Sequence, residues 1–111
     1  MKVCDLVNKL NLQVYAGEKG LSREITGGYT SDLLSDVMGN AEQGEIWVTL
    51  QTHKNTMAIA SLKDLAAIVL VKGNQPEADT AKMSNEEEIP ILGTTLSSFE
   101  ITGRIFEALK L

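Results

Sequence analysis

The side chains best suited to chemistry lie in four loops, each of which follows a segment that resembles a β-strand. Hydroxyl, amide, glycine and carboxylate groups occur at 27–32, 49–55, 71–75 and 92–98. In open α/β sheets, ligands bind beyond the carboxyl ends of the strands, where helix N-termini present free amides. The same residue types also form ordinary caps and turns, so a structural role stays open for each loop. The ligand-binding residues predicted on this basis are Thr30, Ser31, Asp32, Gln51, Thr52, His53 and Thr94.

The glycine pair Gly27 and Gly28 is the feature closest to a nucleotide-binding loop. A P-loop requires G-x-x-x-x-G-K-[ST], and a dinucleotide site requires G-x-G-x-x-G between a strand and a helix. The segment "GGYTSDLL" contains neither the lysine nor the third glycine, and "VKGNQPEA" also fits neither pattern. We therefore predict no catalysis through either route and no bound cofactor.

His53 is the single histidine, so a Ser-His-Asp triad would have no other base. Thr52, Gln51 or Asp32 could lie near it, but no G-x-S-x-G elbow precedes a serine. A hydrolase or transferase centred on His53 is therefore less favoured than contact between His53 and a ligand. One histidine and one cysteine cannot form a structural zinc site within one chain, so no metal is predicted.

Composition and charge exclude several classes of protein. The 111 residues suit one domain, predicted to span 1–111, and the net charge of −5 argues against a nucleic-acid partner. Polar residues near the N-terminus argue against a secretion signal, and the longest apolar run, 65–71, is too short to cross a membrane. The single cysteine, Cys4, predicts an inert core position in a reduced compartment, which we take to be the cytoplasm.

Hydrophobic periodicity predicts alternating strands and helices. An apolar stripe predicts an opening helix that ends near Asn11, and the pattern at 33–41 predicts a helix with Ser31 as its N-cap. Ser97 and Glu100 form a capping box that begins the last helix. The predicted strands are 12–17, 23–30, 46–50, 66–71 and 89–94, and the residues expected to point inward from the last helix are Ile101, Ile105, Phe106 and Leu109.

Connections of helix length between these strands predict parallel pairing. The near-continuous apolar runs at 46–50 and 66–71 are typical of strands that are covered on both faces. The predicted fold class is therefore α/β, a three-layer α/β/α arrangement with a largely parallel sheet.

Three segments together resemble the DRTGG domain, a module similar to the N-terminal domain of HPr kinase/phosphorylase. They are "REITGGYTSDLLSDVM", "GEIWVTLQTHKNTMAIASLKDLAAIVLVKG" and "IPILGTTLSSFEITGRI". The pattern that names the family is matched in part by Arg23, Thr26, Gly27 and Gly28, with Ser22 in place of the aspartate. The resemblance implies the HPr kinase N-terminal-domain-like fold described above, without the catalytic half that carries the P-loop.

The resemblance also implies a non-catalytic regulatory or assembly module. Our first hypothesis is a homodimer that binds a small anionic metabolite or a nucleotide at the carboxyl ends of the strands. The alternative is a protein-binding accessory subunit of a larger redox or metabolic enzyme, with no small ligand. For that alternative, residues 57–62 with Met38 and Met83 would supply the interface, although Met57 better suits the core.

Overall fold

The computed structural model of the chain describes residues 1–110 and contains a five-stranded sheet. Most helices lie in the connections between successive strands, as the sequence predicts. The strands are β1 (Gln13–Ala16), β2 (Gly27–Thr30), β3 (Glu45–Thr49), β4 (Ala67–Leu70) and β5 (Ile91–Gly93). The helices are α1 (Val3–Leu10), α2 (Leu34–Asn40), α3 (Asn55–Leu62), α4 (Ala78–Glu87) and α5 (Ser98–Leu109), with one 3-10 turn at Glu18–Gly20.

The strands lie in the order β1-β5-β4-β3-β2. Neighbouring strands from β5 to β2 are parallel, while β1 pairs with β5 in the antiparallel sense and places Gln13 opposite Gly93. The predicted, largely parallel sheet is confirmed. The parallel pairing places the carboxyl ends of four strands along one edge of the sheet. At this edge β1 begins beside the carboxyl end of β5.

Helices cover both faces of the sheet, which confirms the three-layer fold. Ile46 and Val48 of β3 belong to an apolar cluster shared with α1 and α5, whereas Trp47 faces the cluster that holds α2, α3 and buried residues beside α4. The strands β4 and β5 alternate in the same way. Because β3, β4 and β5 are buried on both faces, their sequences are almost continuously apolar.

Local signals set several element boundaries as expected. The hydroxyl of Ser97 accepts a hydrogen bond from the amide of Glu100 at 3.3 Å, which confirms the N-cap of α5. The helix α1 ends at Asn11, whose φ of 54° is left-handed. Pro90 directly precedes β5, where its missing N–H costs no strand pairing, and its carbonyl accepts from the amide of Ile68.

Two predicted features at the second strand are wrong. The strand β2 begins at Gly27 rather than at residue 23, because the residues before it pair with the chain's N-terminus: Lys2 bridges to Glu24, and Ile25 donates to the Met1 carbonyl. Ser31 is not the N-cap of α2. Its hydroxyl accepts from the amide of Leu33 in a turn that precedes the helix.

Phe106 is the clearest error in the predicted core. Ile101 and Ile105 are buried as expected, and Leu109 is half-buried against them, but 58% of the Phe106 side-chain surface is exposed. Phe106 lies seven residues after Phe99, which is 89% exposed, and both therefore lie on the outer side of α5. Apolarity alone does not distinguish such a residue from a core residue.

Candidate functional site

Ser31, Asp32 and Gln51 come together where β2 and β3 end. One carboxylate oxygen of Asp32 accepts hydrogen bonds from the hydroxyl of Thr49 and from the amide of Leu50, both at 2.9 Å. The side-chain amide of Gln51 donates to the Asp32 carbonyl at 3.0 Å. The Ser31 carbonyl accepts from the indole nitrogen of Trp47 at 2.8 Å. These bonds tie the loop after β2 to the end of β3.

Thr52 and His53 also lie at this edge of the sheet, where their main-chain carbonyls accept hydrogen bonds. The carbonyl of His53 accepts from both the amide and the hydroxyl of Thr56, so it stabilises the first turn of α3. The carbonyl of Thr52 accepts from the amide of Glu77, just before α4. Among residues 1–110 the imidazole of His53 makes no hydrogen bond, and it is half-buried. The arrangement leaves this ring available to a ligand, and no side chain of that range is hydrogen-bonded to it.

Thr94 lies apart from this cluster and lines a cavity, which we call the strand-end pocket. The pocket has a volume of about 570 Å³ at the end of β5, and Gln13, Tyr15, Gln75 and Arg104 are among its lining residues. The hydroxyl of Thr94 accepts from the amide of Leu96, and its carbonyl accepts from Gly73, so the loop backbone is fixed.

The chemistry of the strand-end pocket suits an anionic or polar ligand. Arg104 supplies a guanidinium, a group whose forked donors suit phosphate or carboxylate. Gln13 and Gln75 supply amides that both donate and accept. Gly93 has no room for a side chain because the ring of Tyr15 packs directly against it, which fixes the ring as a wall of the pocket.

The sequence does not reveal these residues, for an identifiable reason. Gln13 and Tyr15 reach the pocket only because β1 joins the sheet beside β5 in the antiparallel sense. Strand order is not encoded in the hydrophobic period of either segment. Arg104 comes from the middle of α5, and its position in the sequence gave no sign that it lines the end of a strand.

Thr30 lines a groove between β2 and α5. Its hydroxyl lies 2.8 Å from that of Thr102, which links the edge strand to the helix. The groove has a volume of about 290 Å³, and its lining includes Gly28, Val48 and Phe106. We call this cavity the α5 groove. The seven predicted residues therefore lie along one edge of the sheet but do not line one pocket.

Two ionisable side chains near this edge have shifted pKa values. The hydroxyl of Ser31, the phenol of Tyr29 and the amide of Asn40 stabilise the carboxylate of Asp36, and they hold its pKa below the usual value of 3.8. The hydrogen bond from Tyr29 to Asp36, 2.9 Å long, in turn raises the pKa of Tyr29 above 10.0. Both shifts arise from hydrogen bonds that favour a charged Asp36 beside a neutral Tyr29.

The residues that match the DRTGG pattern have structural contacts at the opposite edge of the sheet. Arg23 donates to the carbonyl of Glu88 at 2.8 Å and pairs with Asp64 at 3.0 Å. The hydroxyl of Thr26 donates to the Gln43 carbonyl at 2.8 Å, and the residue packs against Gly44, which has a φ of 81°. These residues therefore connect the amino-terminal ends of β2 and β3 to the helices around them.

Residues 1–110 contain no group of three histidine, cysteine, aspartate or glutamate side chains placed to hold a metal ion. Within the same range no helix combines the length and the apolar character that crossing a bilayer requires.

The sequence matches no protein-family model, and no curated protein matches it either. One similar solved structure contains the CBS and DRTGG domains of the regulatory region of a Clostridium perfringens pyrophosphatase, in complex with its activator diadenosine tetraphosphate. The TM-score is 0.72 at 11% sequence identity, and the match covers 94% of this chain but only 45% of that chain. This chain therefore spans less than half the length of that structure. The likeness establishes that the chain has a fold found in that regulatory region, which is consistent with the DRTGG-like domain expected from the sequence.

Proposed function

We propose that this chain is a non-catalytic regulatory or assembly module that forms a homodimer and binds a small anionic metabolite or nucleotide at the carboxyl ends of its strands. The observation that carries the ligand half is the strand-end pocket, where Arg104 is accompanied by neutral donors from Gln13, Gln75 and Tyr15. One cation among neutral hydrogen-bonding groups suits a phosphate or carboxylate joined to a polar body. Thr94 is the predicted ligand residue in this pocket.

The structural neighbour supports the regulatory part of the proposal. That protein is a regulatory region, and its structure contains a nucleotide activator. In this chain, the hydroxyl and the carbonyl of Thr94 accept hydrogen bonds from the amides of Leu96 and Gly73, so the loop of the strand-end pocket is organised before any ligand arrives. A preorganised loop loses little conformational entropy on binding, which favours affinity.

Ligand binding is tested by thermal unfolding of the whole chain with ATP, diadenosine tetraphosphate and inorganic triphosphate. A ligand at a hundred times its dissociation constant stabilises a fold by about 2.7 kcal/mol. For a domain of this size, that corresponds to a rise in melting temperature of roughly 10 °C or more. We expect a rise with at least one compound, and isothermal titration then gives the affinity.

Two variants locate the site. Arg104→Gln removes the cation of the strand-end pocket and is expected to weaken binding at least about tenfold, because charged hydrogen bonds to phosphate are the strong ones. Lys82→Gln is the matched control, since it removes an exposed cation from α4. Equal affinities of the two variants would show that the ligand binds elsewhere. If none of the compounds stabilises the fold, the ligand-binding part of the proposal is wrong.

A second candidate function is an accessory subunit of a larger redox or metabolic enzyme. The observation that favours it is Leu62, which is 70% exposed at the end of α3, together with Met38 on α2. Met57 is buried and Met83 packs against the core, so neither is free to supply that surface. Leu62→Asp should abolish co-purification of a partner enzyme if this candidate is correct, and retention of the partner would exclude this surface.

A further inference from the structure

The outer side of α5 carries two aromatic residues that the described chain leaves more than half exposed. Phe99 and Phe106 are 89% and 58% exposed, and the seven-residue spacing places them on one side of the helix. Gly103 lies between them, is exposed, and has no atom of another residue close to where a side chain would begin. We call these three residues the α5 face. Exposed aromatic surface of this kind is typical of an interaction site.

The α5 face continues into the α5 groove along the edge strand. Thr30, Thr102 and Phe106 line the space between the helix and β2. Gly28 also lines it, although the nearest atom to an added Cβ would be the Ile46 carbonyl oxygen at 3.6 Å, an ordinary contact. Packing inside the chain therefore does not require glycine at this position. A glycine on a strand where none is needed internally leaves the backbone open to close approach from outside.

Charge separates this side of the molecule from the other. The chain has a net charge of −5, and the segment 77–88, which includes α4, holds five acidic residues and one lysine, a net charge of −4. The segment 98–110, which includes α5, is neutral: Glu100 and Glu107 are balanced by Arg104 and Lys110. Since α4 and α5 cover opposite faces of the sheet, two copies that meet through α5 keep their acidic sides apart.

We propose that the α5 face binds a second copy of this chain, with the two α5 helices antiparallel across a two-fold axis midway between Thr102 and Gly103. This inference rests on the homodimer of the proposed function and assigns its interface. The spacing is self-complementary, as a two-fold interface requires. Residues whose numbers add to about 205 come opposite one another, so Phe99 of one copy meets Phe106 of the other.

The same geometry pairs opposite charges. Arg104 of one copy lies beside Glu100 of the other, and the two-fold axis repeats this pair. No ion pair between Arg104 and Glu100 forms within residues 1–110 of a single copy. Arg104 lines the surface around Phe99 and Gly103 as well as the strand-end pocket, so its side chain also lies within reach of a second copy. Gly103 at the centre allows the helix axes to approach closely, because it adds no side chain between them.

The first test measures the mass of the whole chain by sedimentation and by light scattering, over a concentration range up to roughly 1 mM, since a single pair of helices forms a small interface and a weak dimer. We expect a dimer whose dissociation constant rises at least about tenfold in Phe99→Asp, because the substitution places a charge against an aromatic ring. Leu62→Asp is the control, as it adds the same charge at an exposed apolar residue of α3. Circular dichroism verifies that both variants fold.

The second test uses charge reversal. Arg104→Glu gives acidic side chains at both positions, and Glu100→Arg gives basic ones, so each variant alone should be monomeric where the wild type is a dimer. An equimolar mixture should form a heterodimer, since every cross-copy pair is then attractive. Native mass spectrometry distinguishes the heterodimer from either homodimer. An interface that keeps positions 100 and 104 of one copy away from those of the other does not predict this rescue.

The remaining outcomes overturn the inference in distinguishable ways. A wild-type dimer that survives Phe99→Asp and shows no preference for the mixed pair would keep the homodimer of the proposed function but place its interface elsewhere. A wild type that is monomeric at the highest concentration would overturn both the interface and the homodimer, while ligand binding at the strand-end pocket stands on its own titration. Monomers that bind lipid vesicles through Phe99 would assign the α5 face to a membrane instead.

Discussion

Arg23 donates a hydrogen bond from its guanidinium Nε to the main-chain carbonyl of Glu88, over a distance of 2.8 Å. Glu88 is the left-handed residue that ends α4, with a φ of 56°. Its carbonyl also packs directly against the Cα of Gly20, which leaves no space for a side chain there. A residue from the family pattern thus satisfies a helix end that would otherwise lack a partner.

Replacing Arg23 should lower the stability of the fold rather than abolish ligand binding. Arg23→Ala removes the bonds to Glu88 and Asp64, and we expect the free energy of unfolding to fall by about 1–2 kcal/mol. Arg23→Lys should cost about half as much, because lysine keeps the charge but not the forked geometry. Urea denaturation measures both losses. Unchanged stability with lost ligand affinity would show instead that Arg23 has a binding role.

The pair formed by Asp32 and Thr49 gives a second prediction. Thr49 is fully buried, and its hydroxyl donates to Asp32 at 2.9 Å. Asp32→Ala should lower the free energy of unfolding by about 1–3 kcal/mol, because it leaves a buried hydroxyl without its acceptor. Adding Thr49→Val removes that unsatisfied group, so the double variant should be less destabilised than the sum of the two single variants.

This double-mutant cycle also bears on the ligand prediction for Asp32. One carboxylate oxygen takes both observed bonds, and the other is free of the protein bonds described above. If Asp32 acts only in structure, the ligand affinity of the double variant should match that of the wild type in a titration. A loss of affinity with a preserved fold would make Asp32 a ligand contact.

The coupling between Tyr29 and Asp36 predicts two pH ranges in which stability changes. The pKa of Asp36 is lowered in the fold, so its stabilising contribution is present above 3.8 and is lost as the pH falls through the lower folded pKa. The pKa of Tyr29 is raised, so its contribution is present below 10.0 and is lost as the pH rises through the higher folded pKa.

Two variants separate these ranges in urea denaturation at a series of pH values. Asp36→Asn should flatten the acid side of the stability profile, because the amide does not titrate. Tyr29→Phe should flatten the alkaline side while the acid side keeps most of its slope, since Ser31 and Asn40 still stabilise the carboxylate. If both variants keep the full wild-type profile, the hydrogen bond between Tyr29 and Asp36 contributes nothing measurable.

The sequence predicted the strands and helices well because burial on both faces leaves a strong pattern. Runs such as 66–71 are apolar at every position, and the Ser97 cap marks the start of α5. The shared fold with a regulatory region agrees with the resemblance drawn from three segments. Secondary structure and layer order follow from such local signals, since each helix must bury one face against the sheet.

The candidate site was less predictable because it depends on which strands are neighbours. Ser31, Asp32 and Gln51 meet because β2 and β3 are adjacent in the sheet. Tyr15 and Thr94 line the same pocket only because β1 pairs with β5 in the antiparallel sense, and the hydrophobic pattern of the sequence does not predict this pairing. The pattern of the last helix predicts Phe106 in the core because an aromatic residue in an amphipathic helix usually packs inward, and the sequence does not show which residues a surface leaves uncovered.

Gly103→Ala separates the stability of the fold from self-association. Gly103 lies inside α5 with open space around it, so alanine should raise the free energy of unfolding by about 1 kcal/mol through helix propensity alone. Across a two-fold axis, the added methyl groups lie between the helices, and the dimer should weaken as the monomer becomes more stable. Gly39→Ala in α2, which also has open space, is the control that should stabilise the fold and leave association unchanged. Equal or tighter association of Gly103→Ala would contradict close approach at α5, because a methyl group at the centre of a tight helix pair must push the two axes apart.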